Sequence, residues 1–135
     1  GGWIDSLYDI FNNSRHEDSV ELCQKYGLFP TLEDWKNKIL LLETSEEQPT
    51  PKKYRKMLKT LKQTGIFNVV SGVLIGKPMD EMYVKDYKQL LVEVIDNPSL
   101  PIVTNINVGH ATPRCIIPFG VPATVDTNQQ IIRFS

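Results

Sequence analysis

Three apolar runs, Ile39-Leu40-Leu41-Leu42, Val69 to Ile75 and Pro101 to Ile106, alternate with two stretches whose apolar residues fall at helical spacing. Ile39 to Leu42 shows no apolar/polar alternation, the pattern of a strand buried on both faces of a parallel sheet. Thr50-Pro51 supplies an N-cap followed by Pro at the first helical position, and Tyr54, Met57, Leu58 and Leu61 then share one face until Gly65. Gly76-Lys77-Pro78 turns the chain into another helix near Asp80, with a stripe of Tyr83, Tyr87, Leu90, Leu91 and Val94. Strand, helix, strand, helix, strand with connections of this length predicts a three-strand parallel core joined by right-handed crossovers. The tail from Arg114 to Phe134 reads as short strands punctuated by Pro118, Gly120 and Pro122. The fold class is therefore α/β: a small, mostly parallel sheet with flanking helices and a β-rich carboxy-terminal segment.

Ahead of this core, residues 3–12 read as one helix, His16 to Lys25 as a second, and Thr31 as the N-cap of a helical turn through Trp35. Trp3, Ile4, Leu7, Tyr8, Ile10 and Phe11 form an apolar face that needs a surface to pack against. A start at Gly1-Gly2 with no Met suggests a chain cut from a larger protein. Length and composition, 135 residues with 41% hydrophobic content, fit one globular domain. A net charge of −1, from 15 Lys plus Arg against 16 Asp plus Glu, offers no field for nucleic acid or an anionic membrane. Cys23 and Cys115 carry no Cys-x-x-Cys pattern, which favours a reducing cytoplasm over a disulfide framework or a zinc site. No apolar run reaches the length of a membrane span, and nothing marks a signal peptide.

Two ionisable residues follow apolar runs. Glu43 comes directly after Leu42, and His110 follows Gly109 after the third run. Ligands of open α/β sheets sit at the carboxyl ends of strands, so both positions fall on the same edge of the predicted sheet. A carboxylate holding an imidazole is two-thirds of a hydrolytic triad. Each residue also has an ordinary reading, Glu43 as a solvated loop residue or helix cap and His110 as a structural or exposed loop histidine. The nucleophile is missing, since there is no Gly-x-Ser-x-Gly elbow. Ser45 is too near Glu43, Ser71 falls in a predicted buried strand, and Cys115 in Arg114-Cys-Ile-Ile reads as a small buried hydrophobe. Glu43, Glu46, Glu47 or Asp80 beside His110 lacks the spacing of a metal site. Lys52, Lys53, Arg55, Lys56, Lys59 and Lys62 read as a solvated helix face, and His16 as exposed. Lys77, at a strand end between Gly76 and Pro78, is a surface turn lysine or a partner for a substrate carboxylate or phosphate.

The blocks Lys38-Ile-Leu-Leu-Leu-Glu-Thr-Ser-Glu-Glu, Ser71-Gly-Val-Leu-Ile-Gly-Lys-Pro-Met-Asp-Glu, Leu100-Pro-Ile-Val-Thr-Asn-Ile-Asn-Val-Gly-His and Pro113-Arg-Cys-Ile-Ile-Pro-Phe-Gly resemble the LD-carboxypeptidase and microcin C immunity family of serine peptidases. The resemblance covers roughly residues 36 to 130 and concerns that family's carboxy-terminal domain, a swivelling β/β/α-like unit. It implies a domain over residues 36–135, with residues 1–35 as a helical lead-in from an absent amino-terminal domain. By motif position, Glu43 matches the Glu and His110 the His of the family's Ser-Glu-His triad, whose Ser lies in that other domain. Val108 stands where an aromatic is frequent, and Thr44 where many members have Asp, which leaves the substrate open. The implied reaction is cytoplasmic amide hydrolysis without a cofactor or metal, on a murein tetrapeptide or a microcin C-type aminoacyl-nucleotide. Lys77 and Arg114 would support an anionic substrate group, the full-length protein would be a homodimer, and this chain alone would be inactive. The alternative is a non-catalytic binding or dimerisation module, recognising an anionic peptide or nucleotide through Lys77 and Arg114 or pairing through the Trp3 to Phe11 face.

Overall fold

Side chains of alternating direction divide the sheet into two differently covered faces. The computed structural model describes residues 2–135. Strands β1 (Ile39–Leu42), β2 (Gly72–Gly76) and β3 (Ile102–Ile106) pair in parallel in the order β1-β2-β3, as the alternation of runs predicts. Before them come α1 (Ile4–Asp9), α2 (Ser19–Tyr26) and the short α3 (Leu32–Trp35); α4 (Pro51–Gln63) and α5 (Val84–Ile95) form the two crossovers. Leu40, Leu42, Val73 and Ile75 face the helices, where they meet Tyr54, Met57, Leu58 and Leu61 of α4 and Tyr87, Leu91 and Val94 of α5. All four of the α4 residues are essentially sealed from solvent. Thr50 caps α4 by accepting the Lys53 N–H, with Pro51 in the first turn. The exposed face of α4 is tied to α5 by a bidentate Arg55–Glu93 pair at 2.6 and 2.9 Å.

Leu41 and Leu74 point to the opposite face, and they too are buried. On this side Ile117, Phe119, Val121 and Phe134 of the tail line a groove together with Ile39, Leu41 and Leu74 of the sheet and Trp35 of α3. The tail ends in an antiparallel hairpin of β4 (Ala123–Asp126) and β5 (Ile131–Phe134). The apolar face of the first helix is covered from within the chain. Ile4 is fully buried in the common core, and Leu7, Tyr8 and Phe11 pack against it.

Several boundaries differ from the sequence expectation. α1 is six residues long rather than spanning 3–12, because the chain turns through Phe11, Asn12 and a left-handed Asn13. The second run does not enter the sheet at Val69: Gly65 at φ +83° caps a 3-10 turn over Ile66–Asn68, and pairing begins at Gly72. Ser71 consequently lies outside the strand and exposed, with its hydroxyl donating to the Lys38 carbonyl. α5 starts at Val84, preceded by Asp80, Glu81 and Tyr83 in the left-handed region, so Tyr83 stands before the helix instead of on its stripe. No helix among the described residues is long and apolar enough to cross a membrane.

Candidate active site

The carboxyl ends of β1 and β3 bring Glu43 and His110 together. Glu43 Oε2 lies 2.8 Å from His110 Nδ1 and also accepts the His110 backbone N–H at 3.2 Å. A carboxylate only accepts, so Nδ1 carries the proton and the outward nitrogen is Nε2. Glu43 is 11% exposed and His110 37%, so the anchoring carboxylate is sheltered while the ring reaches solvent. That arrangement strengthens the carboxylate–imidazole bond and leaves the working edge accessible.

Two glycines create room for this pair. A Cβ on Gly76, at the end of β2, would lie 2.9 Å from Glu43 Cβ and 2.8 Å from the Val108 carbonyl oxygen. A Cβ on Gly109 would lie 2.1 Å from Glu43 Oε2, and Gly109 also holds φ +96°. Both are close backbone approaches that only glycine permits without displacement. The backbone of Glu43 is fixed from the other side by residues 2–4. Its N–H donates to the Gly2 carbonyl at 2.8 Å, and its carbonyl accepts the Ile4 N–H at 3.0 Å, a parallel bridge along the outer edge of β1.

Trp3 carries this bridge into the site, since its ring centroid is 6.3 Å from that of His110. The Arg15 guanidinium stacks 4.5 Å from the Trp3 ring centroid and binds Glu47 at 2.9 Å. Its hydrogen bond holds the Glu47 carboxyl below the usual carboxylate range. Lys53 extends the chain of charges, 2.8 Å from the buried Asp5 and 3.8 Å from Glu47. The loop bearing Arg15 is in turn gathered by Asp9, which accepts from the backbone N–H groups of Arg15 and His16 and the hydroxyls of Ser14 and Ser19.

Burial alone pushes the Asp9 carboxyl up, but the Ser19 hydroxyl and the two N–H groups outweigh it and leave the group below its ordinary 3.8. A carboxyl depressed by folding contributes stability above its unfolded value and loses that contribution as pH falls through its folded value. Asp9→Asn is therefore expected to destabilise the chain by roughly 1–3 kcal/mol near neutral pH. The difference should shrink steadily below about pH 4. Urea titrations of both proteins from pH 7 to pH 3 measure this, and a pH-independent difference would show that the charge of Asp9 is not what gathers the loop.

Lys77 and His110 line one depression of about 160 Å³ together with Met79, Asp80, Glu81, Ala111 and Thr112. Lys77 Nζ is bound to Glu81 at 2.9 Å, so its charge is already partnered. Arg114 is exposed and sits 3.4 Å from the Gly109 carbonyl, beside the His110 loop rather than in the depression. Ser45 is 1% exposed and its oxygen accepts the Glu47 N–H, a structural role. Cys115 is exposed, contrary to its reading as a buried hydrophobe, because the segment after Pro113 runs over the surface. No group of three or more His, Cys, Asp or Glu among the described residues could hold a metal ion.

Sequence reasoning missed Trp3 and Gly76, and weighed Glu46 only as a metal ligand. Glu46 Oε2 lies 3.3 Å from His110 Nε2. Its signal was its position three residues past Glu43 on the same strand-end loop; Trp3 had no local signal, since only tertiary pairing brings it here.

The model of the LD-carboxypeptidase C-terminal domain matches residues 18–125. A crystal structure of an MccF-like protein from Streptococcus pneumoniae in complex with AMP superposes with a TM-score of 0.97 at 62% identity. That match covers 100% of this chain and 39% of the other, so the chain spans well under half the length of this relative. No curated protein matches the chain. With four-fifths of its length inside the family model and a sheet, hairpin and helices that superpose on a solved relative, the chain belongs to the LD-carboxypeptidase C-terminal domain family.

Proposed function

We propose that this chain supplies the orienting carboxylate, Glu43, and the general base, His110, of a Ser-Glu-His triad for amide hydrolysis, with the serine provided by another domain of a longer protein. The observation that carries the reading is the 2.8 Å contact of Glu43 Oε2 with His110 Nδ1 at the carboxyl ends of two parallel strands. In this role Glu43 holds the Nδ1–H tautomer and stabilises the imidazolium that forms when Nε2 takes the serine proton; Nε2 then returns that proton to the leaving amine. No hydroxyl or thiol among the described residues is bonded to Nε2, and Ser45, Ser71 and Cys115 all have other settings. A nucleophile from outside the chain is consistent with that.

The substrate class is an acyl-amide with an anionic group nearby, of the aminoacyl-nucleotide or murein tetrapeptide kind. The AMP bound by the similar MccF-like protein favours the nucleotide class. The test compares the 135-residue chain with a protein in which it is joined to a Ser-bearing domain, using an aminoacyl-nucleotide amide and an acyl-D-alanine as substrates. Turnover by the joined protein and none by the chain alone is expected. Equal turnover by the two would overturn the split triad.

A further inference from the structure

One hydrogen bond does not fix the plane of an imidazole. Glu43 Oε2 holds His110 through Nδ1 at 2.8 Å, and the ring can still swing about that contact. A base that must deliver Nε2 to one point needs a second restraint on its ring. Trp3 is placed to give it, with its ring centroid 6.3 Å from that of His110 at an interplanar angle of 50°. That separation is within the range over which tilted aromatic pairs attract.

The main chain of Trp3 is fixed on both sides, because the Gly2 carbonyl accepts the Glu43 N–H and the Ile4 N–H donates to the Glu43 carbonyl. Its side chain is not anchored through its polar atom, since Nε1 is buried without a hydrogen-bond partner. What bears on the indole is a cation: the Arg15 guanidinium stands 4.5 Å from the ring centroid. Arg15 is tied in turn to Glu47 at 2.9 Å, and its backbone N–H to Asp9. Glu47 follows Glu43 on the same loop. The contacts therefore close on themselves. The loop after β1 reaches the imidazole directly through Glu43, and a second time through Glu47, Arg15 and Trp3.

We propose that Trp3 and Arg15 are positioning residues for His110: the indole stops the imidazole from swinging about its bond to Glu43, and the guanidinium, pinned by Glu47, keeps the indole in place. The role asks neither residue to exchange a proton. The inference rests on the triad reading above and adds to it a second, indirect hold on the base.

Variants of the joined protein test it with the aminoacyl-nucleotide amide. Trp3→Leu keeps an apolar side chain without a ring, and is expected to lower kcat about tenfold with KM unchanged. The loss stays short of the roughly hundredfold cost of a 1 Å displacement because Glu43 still holds Nδ1. Trp3→Phe, which restores a ring, should recover most of it. Arg15→Ala should lower kcat about two- to fivefold, the factor an exposed cation–π contact is worth, and by nothing further in Trp3→Leu. A loss carried by KM, no rescue by Trp3→Phe, or an Arg15→Ala effect that persists in Trp3→Leu overturns the proposal. Arg15 is exposed and outside the core, so its variant decides the matter even where Trp3→Leu fails to fold.

A second measurement needs no turnover. In the 135-residue chain, the Hα–Hβ couplings of His110 should report one χ1 rotamer in wild type and averaging between rotamers in Trp3→Leu and, less fully, in Arg15→Ala. A single rotamer retained in either variant, or averaging already present in wild type, overturns the proposal as well. If the joined wild-type protein turns over nothing, the triad reading is the one that fails, and the couplings decide the role of Trp3 and Arg15.

Discussion

Replacing Glu43 by Gln is expected to lower kcat of the joined protein by about 10⁴, the loss caused by the equivalent carboxylate-to-amide change in the chymotrypsin-type triad. The geometry explains why so small a change should matter so much. Oε2 of Glu43 accepts both the ring N–H and the backbone N–H of His110. An amide can offer its oxygen to only one orientation of the pair and its NH2 to the other. In the second case it would demand Nδ1 as acceptor and place the ring proton on Nε2, the nitrogen that has to receive one. Even with the oxygen correctly turned, the negative charge that steadies the imidazolium is gone. A factor of 10⁴ corresponds to roughly 5 kcal/mol of transition-state stabilisation. Folding should be little affected, because the backbone of Glu43 stays paired with Gly2 and Ile4 and the core beneath it is unchanged. Steady-state kinetics with a parallel thermal melt separates the two. A loss below tenfold with an unaltered melt would show that His110 does not work through Glu43.

The central sheet was legible because its signal is local. Four consecutive apolar residues at 39–42 need cover on both faces, and a Thr50-Pro51 start followed by Tyr54, Met57, Leu58 and Leu61 leaves little but a helix. The site was legible for a related reason. A parallel sheet sends every strand's carboxyl end to one edge, so the first ionisable residue past each run is a candidate for convergence before any contact is known. Glu43 and His110 met that expectation; Lys77, at the end of β2, came to the same depression but with Glu81 already on it. What was not legible depended on long-range packing. Nothing near Trp3 marks it as the neighbour of a histidine more than a hundred residues away; only the pairing of residues 2–4 with Glu43 puts it there. The left-handed Asp80, Glu81 and Tyr83 are equally silent, since non-glycine residues take that conformation under tertiary constraint. Cys115 was misread because a cysteine beside apolar residues such as Ile116 and Ile117 is usually internal, whereas this segment crosses the surface on its way to the groove it shares with Leu41 and Leu74.

Gly109→Ala should damage the site nearly as selectively as removing the carboxylate. The new methyl group would overlap Glu43 Oε2 at 2.1 Å and the carboxyl carbon at 2.8 Å, while φ of +96° adds strain for any side chain. Relief requires Glu43 to leave Nδ1 or the His110 loop to retreat, and neither leaves the ring oriented. Displacement of a positioned group by about 1 Å is enough for a hundredfold loss, so kcat/KM of the joined protein is expected to fall by about 10² to 10³. The backbone strain should cost about 1–3 kcal/mol of stability, visible as a lower urea midpoint. The diagnostic measurement is the double variant. If Gly109 matters because it makes space for Glu43, adding Gly109→Ala to Glu43→Gln should cost far less activity than it does in wild type, since residues that act as one unit are strongly non-additive. Full additivity of the two losses would mean that Gly109 serves the His110 loop independently, and that its closeness to Glu43 is incidental to catalysis.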